Sequence, residues 1–409
     1  MTSADRRNFS LHPPLGTPQT MKKATTLAHA GRHPEQQMGA VNPPVYHAST
    51  ITYPTIEAMT AAERHPFDGV RYGRFGTPTS FALEEAVCAL EEGYRSISTA
   101  SGLAAITGAL TALVETGDHV LMVDTVYYPT RRFCQDQLKR WGIETTFYDP
   151  LVGGAIADLI RPNTKVVFVE SPGSLTFEVQ DIPAIAAAAH AAGAVVVMDN
   201  TWATPLFFRP FEKGVDVSLH AATKFIVGHS DAMLGIITCK TEQLWHRIKS
   251  SIAMSGVCAG AEEVYLGLRG LRTLAVRLRQ HQESGLILAQ WLAKRPEVAA
   301  VWHPAMPDDA GHALWRRDFT GACGLFGLEL RPCATEAVSA FLNGLRHFGL
   351  GYSWGGFESL IIPTTGSIKR NCRPWSPAGP TLRIHTGLED PSDLIDDLEL
   401  GLQRLAAHH

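Results

Sequence analysis

Residues 164–200 read TKVVFVESPGSLTFEVQDIPAIAAAAHAAGAVVVMDN. The runs KVVFVE and AVVVMD are nearly continuous in valine and other apolar residues. A strand with one wet face alternates, whereas a strand covered on both faces does not. Between them, IPAIAAAAHAAG predicts a helix that starts after Asp181 and stops at Gly193. Strand, helix, strand is the unit of a parallel sheet covered by helices. Working outward, RSISTA, HVLMVD, TTFYD, DVSLH and GIITC predict further strands. SFALEEAVCALEEG, SGLAAITGALTALVETG and TRRFCQDQLKRWG predict helices among them. Residues 76–270 therefore read as an α/β domain with a mostly parallel sheet. GLRGLRTLAVRLRQHQESGLILAQWLAKRP predicts a long helical stretch leaving it. Strands GLFGLEL and TLRIHTG alternate with helices beyond, so residues 271–409 read as a smaller α+β domain.

Residues 1–75 differ. The first 20 are polar and Pro-rich, which predicts a loose tail. The stretch NPPVYHASTITYPTIEAMTAAERHPFDGVRYGRFGTPTS has no steady period and predicts an extended arm that needs a surface outside its own domain.

The chain has 409 residues, with 36 Lys and Arg against 40 Asp and Glu, for a net charge of −4. That balance supplies no general attraction for nucleic acid or acidic membrane. No apolar run is long enough to span a bilayer, and the N-terminus has no secretory h-region. The 7 cysteines are dispersed without a C-x-x-C pair, which suits free thiols in a cytoplasmic protein. The G-x-G-x-x-G, P-loop and H-E-x-x-H motifs are absent, which argues against a dehydrogenase, a P-loop enzyme and a zinc hydrolase. Gly351-Tyr352-Ser353-Trp354-Gly355 fits the G-x-S-x-G elbow of serine hydrolases. The elbow needs a strand before it and a helix after it, and only Asp390 and His408 follow as forced partners, so the match reads as chance.

A more coherent set lies at strand ends, where α/β folds bind ligands. Asp199 ends AVVVMD. Lys224 follows the next strand, in AATKFIVGHSDAMLG, among small and apolar residues where an ammonium is costly. Ser101, Gly102 and Leu103 open a helix whose free N–H groups suit a phosphate. Tyr127 follows HVLMVD. Taken singly, each has a plain reading as a cap, a packing residue or a snorkelling lysine. Taken together they suit pyridoxal phosphate, which needs a lysine, a carboxylate for its ring nitrogen, an anion site and a flat neighbour.

At this point the chain resembles the pyridoxal-phosphate enzymes of cysteine and methionine metabolism, the cystathionine lyases and synthases. The resemblance runs from about Thr25 to the C-terminus. It rests on RYGRFGTPT, TASGLAAI, DTVYYPTR, VESPGS, MDNTWATP, AATKFIVGHSDAMLG, RGLRTLAVRLRQH, GYSWGGFESL and LRIHTGLED. It implies the fold-type I architecture of such enzymes. It also implies that Lys224 would bond the cofactor and act as base, while Asp199 would hold the ring nitrogen. Tyr127 would stack on the ring. Ser101, Gly102, Leu103 and Thr223 would hold the phosphate. Tyr72 and Arg74 would reach the phosphate of a neighbouring subunit, which makes the protein at least a dimer and, by family habit, a tetramer. Arg383 would grip the substrate carboxylate, with Ser353, Trp354 and Tyr352 lining the pocket. GYSWGGFESL is most similar to the β-eliminating branch, whose thioether substrate is cystathionine. Elimination or replacement at the γ carbon is the alternative. Two departures stand out: Ala221 replaces a frequent serine, and Ser174 replaces a frequent asparagine.

Overall fold

The structure is a computed structural model and describes residues 21–407. The predicted loose tail and His408 lie outside those residues. The larger sheet has seven strands in the order β1-β7-β6-β5-β4-β2-β3. They are β1 (Arg95–Thr99), β2 (His119–Val123), β3 (Glu144–Tyr148), β4 (Thr164–Glu170), β5 (Val195–Asp199), β6 (Val217–His220) and β7 (Gly235–Cys239). The strands from β3 through β2, β4 and β5 to β6 pair in parallel, and only β7 runs against its neighbours. The valines of β4 and β5 are almost all buried, as strands covered on both faces require. The helix Ile182–Ala191 joins them, with Asp181 accepting the Ala184 N–H at its start.

The second sheet is antiparallel, in the order β10-β11-β9-β8. Its strands are β8 (Val298–Trp302), β9 (Leu325–Leu330), β10 (Leu360–Pro363) and β11 (Thr381–His385). Helices Thr335–Asn343 and Pro391–Ala406 cover one face, with Phe341, Leu398 and Leu402 in their shared core. The predicted long helical stretch is two helices, Ala261–Arg272 and Leu274–Leu292, meeting at Thr273.

The arm is less extended than its composition suggests. Residues Ile56–Glu63 form a helix, started by Thr55, whose side chain accepts the Ala58 N–H. The sequence IEAMTAAE consists mostly of helix formers, and this local preference holds although the helix buries no residue. Among the described residues, no helix is long and apolar enough to cross a membrane.

The topology puts β4, β5 and β6 side by side. Their C-terminal ends carry Glu170, Asp199 and His220. The chain that leaves β6 runs straight into the loop that carries Lys224.

Candidate active site

The loop 221–234 is fixed before any ligand is considered. The Thr223 N–H reaches the Leu234 carbonyl at 3.0 Å, and the Thr223 hydroxyl accepts the Leu234 N–H at 2.9 Å. The buried Arg277 guanidinium donates to the carbonyls of Phe225 and Gly270 at 2.8 and 2.7 Å. Phe225 is itself buried. The backbone on both sides of Lys224 is therefore held in place by its neighbours.

The Lys224 ammonium donates to the Ser353 hydroxyl at 2.5 Å and stands 5.3 Å from the Trp354 ring centroid. Burial lowers the Lys224 amine to about 8, helped by the Arg383 charge and opposed by Asp199. Ser353 has φ +74°, an uncommon conformation for a residue with a side chain. That geometry lets one residue serve two partners. Its hydroxyl faces Lys224, while its carbonyl accepts from Arg383 at 2.7 Å. Arg383 sits on β11, only 8% exposed, and its Nε has no partner. A buried guanidinium N–H left unpaired is costly, so this position suits an incoming carboxylate.

The Asp199 carboxylate accepts the backbone N–H and the hydroxyl of Thr201. That hydroxyl also accepts the Ala221 N–H at 2.9 Å, tying the end of β5 to the start of the lysine loop. Burial pushes the Asp199 carboxyl upward, against the pull of Thr201 and of the His220 and Lys224 charges. Tyr127 caps the short helix Tyr128–Arg132 and is 45% exposed. Its N–H donates to a Glu170 carboxyl oxygen at 2.8 Å. Burial and the nearby Glu170 and Asp199 raise the Tyr127 phenol.

Ser101 caps the helix Gly102–Leu113 by accepting the Ala104 N–H at 3.1 Å. A Cβ on Gly102 would stand 2.5 Å from that of Ala221, closer than such atoms approach. Ala221 and Gly102 thus press the helix start against the lysine loop, which gives the smallness of both residues a packing reason. A Gly102→Ala protein is expected to force the two apart and to lower affinity for pyridoxal phosphate by about tenfold. A fluorescence titration checks this, and unchanged affinity would contradict it.

Pyridoxal phosphate fits these residues. The donor set offers an amine with a lowered proton affinity, a carboxylate at a strand end, and the N–H groups of a helix start. The Thr223 hydroxyl accepts the Leu234 N–H and donates to the Leu234 carbonyl, which fixes its place beside that helix start.

Ser353, Trp354 and Tyr352 line a cavity of about 350 Å³ with Thr223 and Met233. Tyr352 stands at its rim, 91% exposed. Tyr72 and Arg74 are not part of it. They line a different cavity beside Ala253 and Gly260, where Arg74 donates to the Ala253 carbonyl. The G-x-S-x-G match lies in a loop without a helix after it, and its serine faces a lysine.

Sequence reasoning missed Thr201 and Glu170. The signal for Thr201 was its place two residues after Asp199, where a hydroxyl can return to the carboxylate. Glu170 was visible as the last residue of KVVFVE, but its neighbour across the sheet was not.

The family described as Cys/Met metabolism PLP-dependent enzyme matches residues 24–403. A putative cystathionine beta-lyase of Rhizobium johnstonii is 48% identical, over 94% of this chain and 96% of that protein. The cystathionine beta-lyase MetC of Escherichia coli is 43% identical, over 94% and 99%. Among solved structures, a cystathionine gamma synthase from Xanthomonas oryzae pv. oryzae superposes with a TM-score of 0.88 at 30% identity, over 95% of this chain and 100% of that one. With sequence and fold agreeing over nearly its whole length, the chain belongs to the Cys/Met metabolism PLP-dependent enzyme family and has the fold-type I architecture.

Proposed function

We propose that this protein is a pyridoxal-phosphate-dependent carbon–sulfur β-lyase that cleaves L-cystathionine to homocysteine, pyruvate and ammonia. The observation that carries this reading is the higher identity to cystathionine beta-lyases, 48% and 43%, than to a gamma synthase, 30%. The geometry supports it, because one residue, Ser353, joins the proton-transfer group to the carboxylate anchor.

When bound, pyridoxal phosphate supplies an electron sink that makes the substrate Cα–H acidic. Lys224 would hold it, Asp199 would keep a proton on its ring nitrogen, and Tyr127 would lie against the ring. Ser101, Gly102 and Leu103 would receive the phosphate, with Thr223 beside them. Arg383 binds the substrate α-carboxylate through its unpaired Nε–H and fixes Cα in front of Lys224. The Lys224 amine takes the Cα proton. The Cβ–S bond then breaks with its electron pair on sulfur, and Lys224 returns the proton to that sulfur, releasing homocysteine. The remaining three-carbon unit hydrolyses to pyruvate and ammonia. Trp354 and Tyr352 shape the space for the distal half of the thioether.

The lowered amine sets a pH dependence. Lys224 must be neutral to accept a proton, and the neutral fraction grows as pH rises through about 8. Turnover is expected to climb between about pH 7 and 9 and then level. A flat profile over that range would contradict Lys224 as the base. The reaction itself is tested by the thiol released from L-cystathionine. Homocysteine is expected, and cysteine would indicate cleavage on the γ side.

The active unit contains a second copy of this chain. Tyr72 and Arg74 line a different cavity from the one formed by Thr223, Ser353 and Trp354 of their own chain, and the same N-terminal region leaves Met38, Val41 and Tyr46 exposed. These features support an arm that reaches the phosphate of a neighbour, in a dimer or a tetramer of two dimers.

A further inference from the structure

Two carboxyls end neighbouring strands at this site, and the mechanism uses only one. In the parallel pairing of β4 with β5, Glu170 is the register partner of Asp199. Such partners sit on the same face of a sheet, with strands about 4.8 Å apart. Two negative charges so placed would repel, so one carboxyl is favoured to stay protonated.

The surroundings decide which member keeps the charge. Asp199 receives two hydrogen bonds from Thr201 and feels the charges of Lys224 and His220. Glu170 receives one, from the Tyr127 N–H. The cation behind it, Arg370, is already shared with Glu178, the Thr176 hydroxyl and the Asp124 carbonyl.

We propose that Glu170 is a positioning residue that works as a neutral acid: it fixes Tyr127 through the backbone while the pair's single negative charge stays on Asp199. Burial first, and the Asp199 charge second, push the Glu170 carboxyl well above the usual range. The Glu170 carboxyl oxygen gives the Tyr127 N–H a fixed acceptor in either protonation state, which anchors Tyr127 where it can lie against a ring. Neutrality adds a second effect. The site also keeps its positive balance of Lys224 and Arg383 over Asp199, which an anionic cofactor and a substrate carboxylate both require.

This inference rests on the pyridoxal-phosphate reading of the site but not on the choice of β over γ cleavage. The test compares wild type, Glu170→Gln and Glu170→Ala, each loaded with pyridoxal phosphate. Bound cofactor is confirmed by its absorbance, and failure to bind would sink the cofactor reading instead. The first readout is infrared absorption of the holoenzyme at neutral pH. A protonated-carboxyl stretch present in wild type and missing in Glu170→Gln is expected; its absence from wild type overturns the proposal. The second is the pH titration of the cofactor absorbance. Glutamine replaces a neutral acid without changing charge, so the midpoint should match wild type. If Glu170 were ionised, removing its charge would lower the midpoint. The third is kcat/KM. Glu170→Ala is expected to lose about 100-fold, the scale of a misplaced catalytic group, and Glu170→Gln to recover most of it. Equal losses in both variants would overturn the proposal.

Discussion

Lys224→Ala is expected to leave the fold intact and to lower cystathionine cleavage by about four orders of magnitude or more. The size follows from two roles lost together. In the proposed reaction one amine would be both the covalent anchor of the cofactor and the group that moves the Cα proton, and general base catalysis alone is worth about 10²–10⁴. The fold should survive because the loop is braced by other residues. Thr223 and Leu234 bond across its neck, and Arg277 holds the Phe225 carbonyl from below. Removing a buried ammonium also removes a desolvation cost, so stability should hold or rise. Circular dichroism and steady-state rates with L-cystathionine check both halves. A variant that turns over at near wild-type rate would remove Lys224 from the chemistry.

Arg383→Ala should raise KM for L-cystathionine by about 100-fold, with a smaller fall in kcat. A charge-assisted pair with a carboxylate contributes roughly 1.5–3 kcal/mol, and the lost guanidinium also leaves the Ser353 and Gly351 carbonyls without a donor. Because Ser353 faces Lys224 as well, some of the loss should appear in kcat. Arg383→Lys should recover little, since an ammonium cannot match the forked geometry. An unchanged KM would show that the carboxylate binds elsewhere.

Much of the large sheet could be read from the sequence because its signals are local. The valines of KVVFVE and AVVVMD carry their burial in their own composition, and Asp199 stands at the end of the second run, with Lys224 in the loop that follows the next strand. Other elements depended on partners far along the chain. Strand β10 (Leu360–Pro363) ends in a proline and lies at a sheet edge, the one place where a missing N–H is tolerated. Strand β8, VAAVW, is apolar throughout yet mostly only partly buried, and it follows directly on a helical stretch whose apolar residues mask it. The helix Ile56–Glu63 was hidden by the prolines and aromatics around it.

The site shows the same division. Ser353 meets Lys224 across a separation of 129 residues, and the resemblance, not the spacing, pointed to it. The left-handed backbone that lets Ser353 face both Lys224 and Arg383 leaves no mark in GYSWGG. Glu170 looked like an ordinary charged strand end, and only the register of β4 against β5 sets it beside Asp199. The hydrogen bonds by which the Thr223 hydroxyl meets the backbone folding back from Leu234 were not legible in ATKF.

The central claim is cleavage of the Cβ–S bond, and the keto acid formed from L-cystathionine tests it most directly. Purified protein loaded with pyridoxal phosphate should release pyruvate together with ammonia. Release of 2-oxobutyrate instead would mean that the bond on the γ side breaks; the cofactor site would stand, and the β-lyase reading would fall.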